Sequence, residues 1–313
     1  MFQEHADEND TMTFARFMEL ALYHPAVGYY RREKVRVGYA QGTDFFTATT
    51  SGPVFGELVV AACVKLLGSH RPRDYTFFEI GAEPRAGALK DVKHPFADYR
   101  SVQFGETIEL HGRCVVFSNE LFDAQPFHRF VFRHGAWQEL GVALRNGALI
   151  ETEVSVAASA ILPNLAPEGY VIDAPFAAGT LAQRIAEQSW TGLFVACDYG
   201  KLWNELTEAR PHGTARAYYQ HTQSNDLLAR PGEQDLTCHV CWDWLVEALQ
   251  QNRFAAPVVE SQETFFVRYA GEFIAATTAA EAAQFSRKKL SLMQLLHPSH
   301  LGQKFQVLHA WRD

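Results

Sequence analysis

Residues 75–82 read YTFFEIGA, a short apolar run that ends in an acidic residue and a glycine. Two later runs have the same form, since residues 114–118 are followed by Asn119-Glu120 and residues 193–197 by Asp198-Tyr199-Gly200. Brief apolar runs with polar or glycine residues directly after them are typical of parallel strands that are buried on both faces. The sequence therefore predicts an α/β fold with a parallel sheet.

Helical and antiparallel patterns surround these strands. Apolar residues recur at helical spacing over residues 13–23 and 53–67. Residues 128–156 alternate instead, and Asn146-Gly147 lies between apolar stretches, which is a strong hairpin signal. We therefore predict two N-terminal helices and an antiparallel β meander that is inserted into the parallel sheet or lies at its edge.

The C-terminal half predicts further helices and a final pair of strands. The helices cover residues 179–190, 242–251 and 279–296, and Thr180 lies near the N-cap of the first. The strands cover residues 265–270 and 305–311. We expect them to form an antiparallel addition to the parallel sheet.

The predicted organisation is an N-terminal helical segment, residues 1–68, that packs on a core of residues 69–313. Insertions interrupt this core at about residues 128–156 and 201–237. Residues 201–234 are rich in polar residues, Pro and Gly and show little periodicity. A loop of that length is uncommon in a compact domain, so we interpret it as a lid or a partner surface.

Charge and composition exclude several classes of function. The net charge is -8 and no block of Lys or Arg stands out, so we expect no nucleic-acid partner. No apolar run is long enough for a membrane span, and the first residues are acidic and polar, unlike a signal or transit peptide. Because five scattered cysteines suit a reducing compartment, we expect a cytoplasmic protein; a homodimer stays open.

The pair Cys238 and Cys241 raises the alternative of a zinc or redox site. A structural zinc ion needs four ligands, and the chain has no second CxxC pair. His221 and His239 are available, but their spacing does not require a shared metal. We interpret the cysteines as structural and predict no metal site.

Ligands of open α/β sheets bind at the carboxyl ends of the strands, which selects the loops after the predicted strands. After Glu79, the glycines Gly81 and Gly87 would let backbone N–H groups approach a cofactor, although an ordinary strand-to-helix turn is the alternative. In the next loop, Glu120 and Asp123 are able to bind a guanidinium and take up its proton. The structural alternative is that Asp123 caps a helix and Glu120 is solvated.

These segments resemble the MidA family, which includes the mitochondrial complex I assembly arginine methyltransferase. Asn119-Glu120-Leu121-Phe122-Asp123-Ala124 with Pro126 is similar to the family's Asn-Glu-x-x-Asp-Ala-x-Pro motif. Further similar segments follow one another along nearly the whole chain, at residues 14–25, 28–30, 44–48, 55–57, 198–200, 213–214, 231–237 and 297–302.

The resemblance implies a Rossmann-like class I methyltransferase sheet with an N-terminal helical segment and an inserted antiparallel β meander. It implies S-adenosylmethionine as cofactor and a protein arginine as acceptor. Carried over by motif, the cofactor-binding residues are Glu79, Gly81, Ala82, Gly87, Asn119 and Phe45. The catalytic residues are Glu120, Asp123 and Asp44.

The cofactor loop departs from the family's Glu-x-Gly-Ala-Gly-x-Gly pattern. Glu83 and Arg85 stand where glycines are expected, and a side chain at such a position can fill the cofactor space. For the acid that holds the cofactor ribose, about 20 residues after the first strand, only Asp98 and Glu106 are nearby.

Two functions follow from these motifs and departures. The first is an S-adenosylmethionine-dependent protein arginine methyltransferase. The second is a catalytically inactive protein of the same fold that acts as a binding or assembly factor. A nicotinamide-dependent dehydrogenase would also use a glycine loop, but no Tyr-Lys or His-Asp pair is evident. In both main cases the partner is a protein, either as substrate or as assembly partner.

Overall fold

The computed structural model describes residues 2–38, 43–44, 48–84, 86–154, 161–282 and 286–313. Its α-helices are α1 (Phe2–His5), α2 (Phe14–Tyr23), α3 (Pro53–Leu67), α4 (Phe176–Ala186), α5 (Trp203–Glu208), α6 (Trp242–Gln251), α7 (Gln262–Tyr269), α8 (Gly271–Ala280) and α9 (Arg287–Leu296). Its strands are β1 (Thr11–Thr13), β2 (Thr76–Ile80), β3 (Asp98–Val102), β4 (Gly112–Asn119), β5 (His128–Arg133), β6 (Ala136–Arg145), β7 (Ala148–Val154), β8 (Val171–Ala174), β9 (Trp190–Asp198), β10 (Gly200–Lys201), β11 (Arg216–Tyr219), β12 (Thr222–Ser224), β13 (Asp235–Thr237), β14 (Val240–Cys241), β15 (Ala255–Ser261) and β16 (Gln306–Arg312).

One compact unit comprises Val35–Leu121, Ala182–Gly200 and Trp244–Asp313 and contains the predicted parallel sheet. The strand order is β15-β16-β9-β4-β2-β3. Strands β3, β2, β4 and β9 are mutually parallel, whereas β16 is antiparallel to both β9 and β15. This confirms the predicted Rossmann-like sheet with an antiparallel addition.

The core of this unit includes the inward side of α3 and one face of the sheet. Phe77, Phe117 and Val195 come from three adjacent parallel strands and are almost fully buried. They belong to the same apolar cluster as Phe55 and Leu58 of α3. Burial of apolar side chains on this scale is the main force that holds a helix against a sheet.

Helix α3 has the bounds that the sequence predicts, and both ends have a local cause. Pro53 occupies the first turn, where its missing N–H leaves no hydrogen bond unmade. Gly68 follows the last residue with φ of 60°, a left-handed conformation that suits glycine.

The second compact unit comprises Met1–Lys34, Phe122–Leu181 and Lys201–Asp243. Its larger sheet is antiparallel, with the order β1-β6-β5-β8 and with β7 paired to β6. The meander is thus inserted between β4 and β9 along the chain, as predicted. It does not join the parallel sheet, however, because β1 and β8 complete a separate sheet around it. The sequence-based division at residue 68 stays a prediction.

The prediction of a strand over residues 265–270 is wrong, because residues 265–269 belong to helix α7 and Ala270 is its C-cap. Ser261 caps this helix by accepting a hydrogen bond from the Thr264 N–H. Phe265 and Phe266 are buried neighbours, and such a short aromatic run has no clear period. The outer strand of the pair is β15, which directly precedes the helix.

The crossover helix begins earlier than the sequence predicts. Thr180 lies inside α4, where its hydroxyl donates to the Phe176 carbonyl at 3.1 Å and does not cap the helix. Trp190, which the sequence assigns to this helix, begins strand β9.

Two other predicted segments also differ. Residues 201–234 are not a structureless loop, since they contain α5, β11 and β12, and β11 lies between β12 and β13 in a small sheet. The helix predicted over residues 279–296 is represented by the end of α8 and by α9, while residues 283–285 lie outside the described residues. In the described part of the chain, every helix is too short or too polar to span a bilayer.

Candidate functional site

The predicted cofactor loops meet at the carboxyl edge of the parallel sheet. In the register of the strands, Ile80 at the end of β2 pairs with Ser118 of β4. Asn119, the next residue of β4, pairs with Cys197 of β9. Glu79, Gly81, Asn119 and Glu120 therefore lie at the same edge, where open α/β sheets bind their ligands.

Glu79 is buried, and its carboxylate accepts hydrogen bonds from other groups of the protein. The Ala88 N–H donates to both carboxylate oxygens, at 3.0 and 2.8 Å, and the Tyr99 hydroxyl donates to Oε2 at 2.5 Å. Burial raises the pKa of Glu79 to about 7, although the bonds from Tyr99 and Ala88 act in the opposite direction. Glu79 thus fastens the loop that follows it to strand β3.

Gly87 must be glycine because the Glu79 and Tyr99 side chains approach it closely. A Cβ at this position would collide with the Tyr99 hydroxyl and lie 3.1 Å from Glu79 Oε2. The close approach of Gly87 therefore serves a contact within the protein.

Gly81 has φ of 80°, and a Cβ there would lie 2.8 Å from the Leu121 side chain, so both conformation and space require glycine. The N–H groups of Gly81 and Ala82 both donate to the Val102 carbonyl at the end of β3, at 2.8 and 3.2 Å. In the described residues between Ile80 and Asp98 the chain forms turns and no helix. The strand-to-helix turn of the sequence prediction is therefore absent there.

Glu83, which stands where the family has a glycine, forms an ion pair that the sequence did not reveal. Arg36 Nη1 donates to Glu83 Oε2 at 3.1 Å, and the Arg36 side chain is only 1% exposed. Asp44 is fully buried, and its N–H donates to the Arg36 carbonyl at 2.7 Å. Burial raises the pKa of Glu83, Arg36 opposes this, and the charge of Asp44 adds to it. Arg85 and Phe45 lie outside the described residues.

The loop after β4 holds a strained acidic residue. Glu120 has φ of 51°, a left-handed conformation that is uncommon for a residue with a side chain. Its N–H donates to the Cys197 carbonyl at 3.0 Å, and its Oε1 accepts from the Asn119 amide at 3.0 Å. The backbone strain is therefore maintained by neighbours, as is common at functional sites.

Beside Glu120 are two buried polar atoms without a hydrogen-bond partner among the described residues, Ser118 Oγ and Asn119 Oδ1. Such atoms are costly unless a water molecule or a ligand satisfies them. Sequence reasoning missed Ser118. The available signal was a hydroxyl residue inside an otherwise apolar strand, directly before the loop.

The two acids predicted after β4 belong to different compact units. Asp123 lies in the unit of the antiparallel sheet, where it is buried and its carbonyl accepts from the Cys238 N–H at 3.0 Å. The alternative that it caps a helix is excluded, because residues 121–127 contain no helix. Burial raises the pKa of Tyr23, and the negative charges of Asp235 and Asp123 add to this shift.

The candidate acids for the ribose lie at opposite ends of β3. Asp98 is the first residue of the strand, so it is at the amino edge, and it pairs with Arg100 at 2.9 Å. Glu106 follows the strand, and its Oε2 accepts from the Gln103 N–H at 2.6 Å. Only Glu106 is on the ligand side of the sheet.

The loop after β9 and the cysteine pair have mainly structural contacts. Asp198 is buried and accepts from the Tyr199 N–H at 2.9 Å. Cys238 and Cys241 are buried and reduced. Among the described residues, no three His, Cys, Asp or Glu side chains are grouped as metal ligands would be.

Residues 61–258 match the family model described as "Putative S-adenosyl-L-methionine-dependent methyltransferase". The zebrafish (Danio rerio) mitochondrial protein arginine methyltransferase NDUFAF7 is 24% identical over 75% of this chain and 67% of its own length. The homologue in Drosophila melanogaster is also 24% identical, over 94% of this chain and 80% of its own length.

A similar solved structure has the same fold. It is a COG1565 superfamily protein from Burkholderia thailandensis, crystallised with bound S-adenosyl-homocysteine, and it superposes with a TM-score of 0.82 at 22% identity. The superposition covers 97% of this chain and 88% of the other.

Proposed function

Since this chain belongs to the S-adenosyl-L-methionine-dependent methyltransferase family, we propose that it methylates an arginine side chain of another protein. The sequence motifs implied this family, a class I methyltransferase fold and S-adenosylmethionine as cofactor, and the comparisons agree with all three. The arginine acceptor is proposed from the curated relatives, which are named protein arginine methyltransferases.

The residues at the end of β4 fit a polar cofactor. Ser118 Oγ and Asn119 Oδ1 are buried polar atoms with no partner among the described residues, so a bound hydroxyl or amine would satisfy them. When bound, S-adenosylmethionine supplies a methyl group on a positively charged sulfur. Ser118 and Asn119 would hold it, whereas Glu79 and the Gly81 and Ala82 N–H groups are already bonded within the protein.

The observation that carries the proposal is the left-handed backbone conformation of Glu120 at the end of β4. Its carboxylate stands directly after the cofactor edge of β4 and is oriented by the Asn119 amide. A carboxylate binds a guanidinium through charge-assisted hydrogen bonds. It can also take up the proton that the guanidinium nitrogen loses on methylation. Glu120 would thus orient the acceptor and remove its proton.

The test is transfer of label from tritiated S-adenosylmethionine to proteins in a lysate of cells that lack this gene. We expect labelled methylarginine after acid hydrolysis, and we expect E120Q to reduce the rate about 100-fold or more, in the range of a lost general base. The control is E109Q, because Glu109 is an exposed acid in the same unit. Equal rates for E120Q and wild type would reject this role of Glu120.

A second function, binding without turnover, is favoured by two observations. The loop after β2 has no helix in its described residues, and Glu79 and Gly87 serve contacts within the protein. Calorimetry with S-adenosylhomocysteine separates the two functions, because a ligand of the native state gives saturable heat and stabilisation. Binding without any labelled product, or no binding at 1 mM ligand, a level about 1,000-fold above a micromolar Kd, would favour the second.

Partner and location are proposed from charge and composition. A net charge of -8 disfavours nucleic acid and is compatible with a protein partner in the cytoplasm. A homodimer is a further prediction. Light scattering decides the oligomeric state, and fractionation of cells decides the location.

A further inference from the structure

The loop after β2 is held in place by hydrogen bonds to groups outside it, two of which are side chains. In the doubly wound fold a helix normally follows the first strand and fixes the turn. Here the described residues between Ile80 and Asp98 contain no helix. Three ties, each made of hydrogen bonds, replace this helix. The Val102 carbonyl accepts from the N–H groups of Gly81 and Ala82. The Arg36 guanidinium donates to the Glu83 carboxylate, and the Ala88 N–H donates to the Glu79 carboxylate.

Arg36 differs from the other two ties because it comes from the segment that leads to Asp44. The Asp44 N–H bonds the Arg36 carbonyl at 2.7 Å while the Arg36 guanidinium bonds Glu83 at 3.1 Å. Arg36 thus connects the predicted catalytic residue Asp44 with the predicted cofactor loop. All three residues belong to the same compact unit.

The burial of Arg36 makes this connection costly to break. Its side chain is 1% exposed, and that of Glu83 is 16% exposed. When one partner of a buried ion pair is removed, the other is left as an uncompensated charge. If both charges are removed together, that penalty disappears. The pair therefore predicts strongly non-additive effects of mutation.

We propose that Arg36 is a positioning residue for the predicted cofactor loop. By binding the Glu83 carboxylate, Arg36 keeps it out of the space for S-adenosylmethionine that would be open if residue 83 were a glycine. This inference rests on the proposed function. It explains how a chain with glutamate at this position keeps a site for the cofactor of its family. Glu83 and Arg36 act as a unit, and neither contacts the reacting atoms.

Calorimetry with S-adenosylhomocysteine on the full chain tests this role. We expect R36Q to weaken binding about tenfold, because the freed carboxylate enters the cofactor space, and R36Q/E83Q to return within about threefold of wild type. The matched control is R71Q, which breaks the exposed Arg71–Asp74 pair of the same unit. Equal affinity of R36Q and wild type, or a double variant as weak as R36Q, overturns the role of Arg36.

Hydrogen exchange gives a readout that needs no cofactor. We expect faster exchange of residues 81–90 in R36Q. We also expect it in E83A, which removes the acceptor of the same bond on the loop side and serves if R36Q does not fold. Unchanged exchange in both variants overturns the proposal. If wild type binds no S-adenosylhomocysteine at all, the proposed function and the cofactor role of Arg36 fail, and faster exchange would then support only the loop tie.

Discussion

Replacement of Glu79 with glutamine should change how the stability of the protein depends on pH. The pKa of Glu79 is raised from 4.5 to about 7, with burial as the main cause. In the unfolded chain Glu79 loses its proton near pH 4.5, whereas in the folded protein it keeps it up to about pH 7. Because the folded state binds more protons between these values, the Glu79 contribution to stability falls as pH rises through this range.

The magnitude follows from the difference between the two pKa values. One pKa unit corresponds to about 1.4 kcal/mol, so ionisation of Glu79 removes about 3 kcal/mol from the free energy of unfolding between pH 4.5 and 7. E79Q cannot ionise, and its amide oxygen is still able to accept the bonds that the Ala88 N–H and the Tyr99 hydroxyl donate.

Urea unfolding of wild type and E79Q at pH 5 and pH 8 measures this contribution. Relative to E79Q, wild type should lose about 3 kcal/mol between the two pH values. Y99F provides an internal check, because the Tyr99 bond lowers the pKa of Glu79 and its loss should move the transition to higher pH. Parallel pH profiles for wild type and E79Q would refute the buried, protonated state of Glu79.

Two further predictions concern other buried positions. G87A should lower the free energy of unfolding by about 1–3 kcal/mol, because its Cβ would collide with the Tyr99 hydroxyl. G271A is the control and should change the free energy of unfolding little, because the space around Gly271 is open. Equal effects of the two variants in urea unfolding would contradict the packing argument. His239 should stay neutral at physiological pH, because burial and nearby Arg and Lys side chains lower its pKa to about 4. An NMR titration midpoint for His239 between pH 6 and 7 would disprove this.

The central strands could be predicted from the sequence because they are covered on both faces. Such strands leave short apolar runs. Strands β4 and β9 contain their predicted runs, and β2 contains its run except for Tyr75. Strand β3 at the edge of the sheet was missed, since its sequence DYRSV is mostly exposed and has no apolar signal. Helix α7 was mistaken for a strand because eight residues rich in aromatics do not establish a period.

At the site, the sequence identified the edge but not the contacts. Glu79, Gly81, Asn119 and Glu120 lie at the ligand edge because the ends of parallel strands are brought together by the sheet itself. Long-range partners carry no such local signal. Arg36 lies 47 positions from Glu83, in a polar stretch whose pattern gives no reason to expect a buried guanidinium.

The acidic side chains around the loop after β2 are less negative than the sequence suggests. Glu79, with a pKa of about 7, is about half protonated at neutral pH. Glu83 faces the positive charge of Arg36. Each of these carboxyl groups therefore has a contact that compensates its charge or its burial. Glu83, which stands in place of a glycine, thus belongs to a loop that side-chain contacts hold in position. In such a loop, changes to the compensating partners should affect cofactor affinity more than changes to the acids themselves.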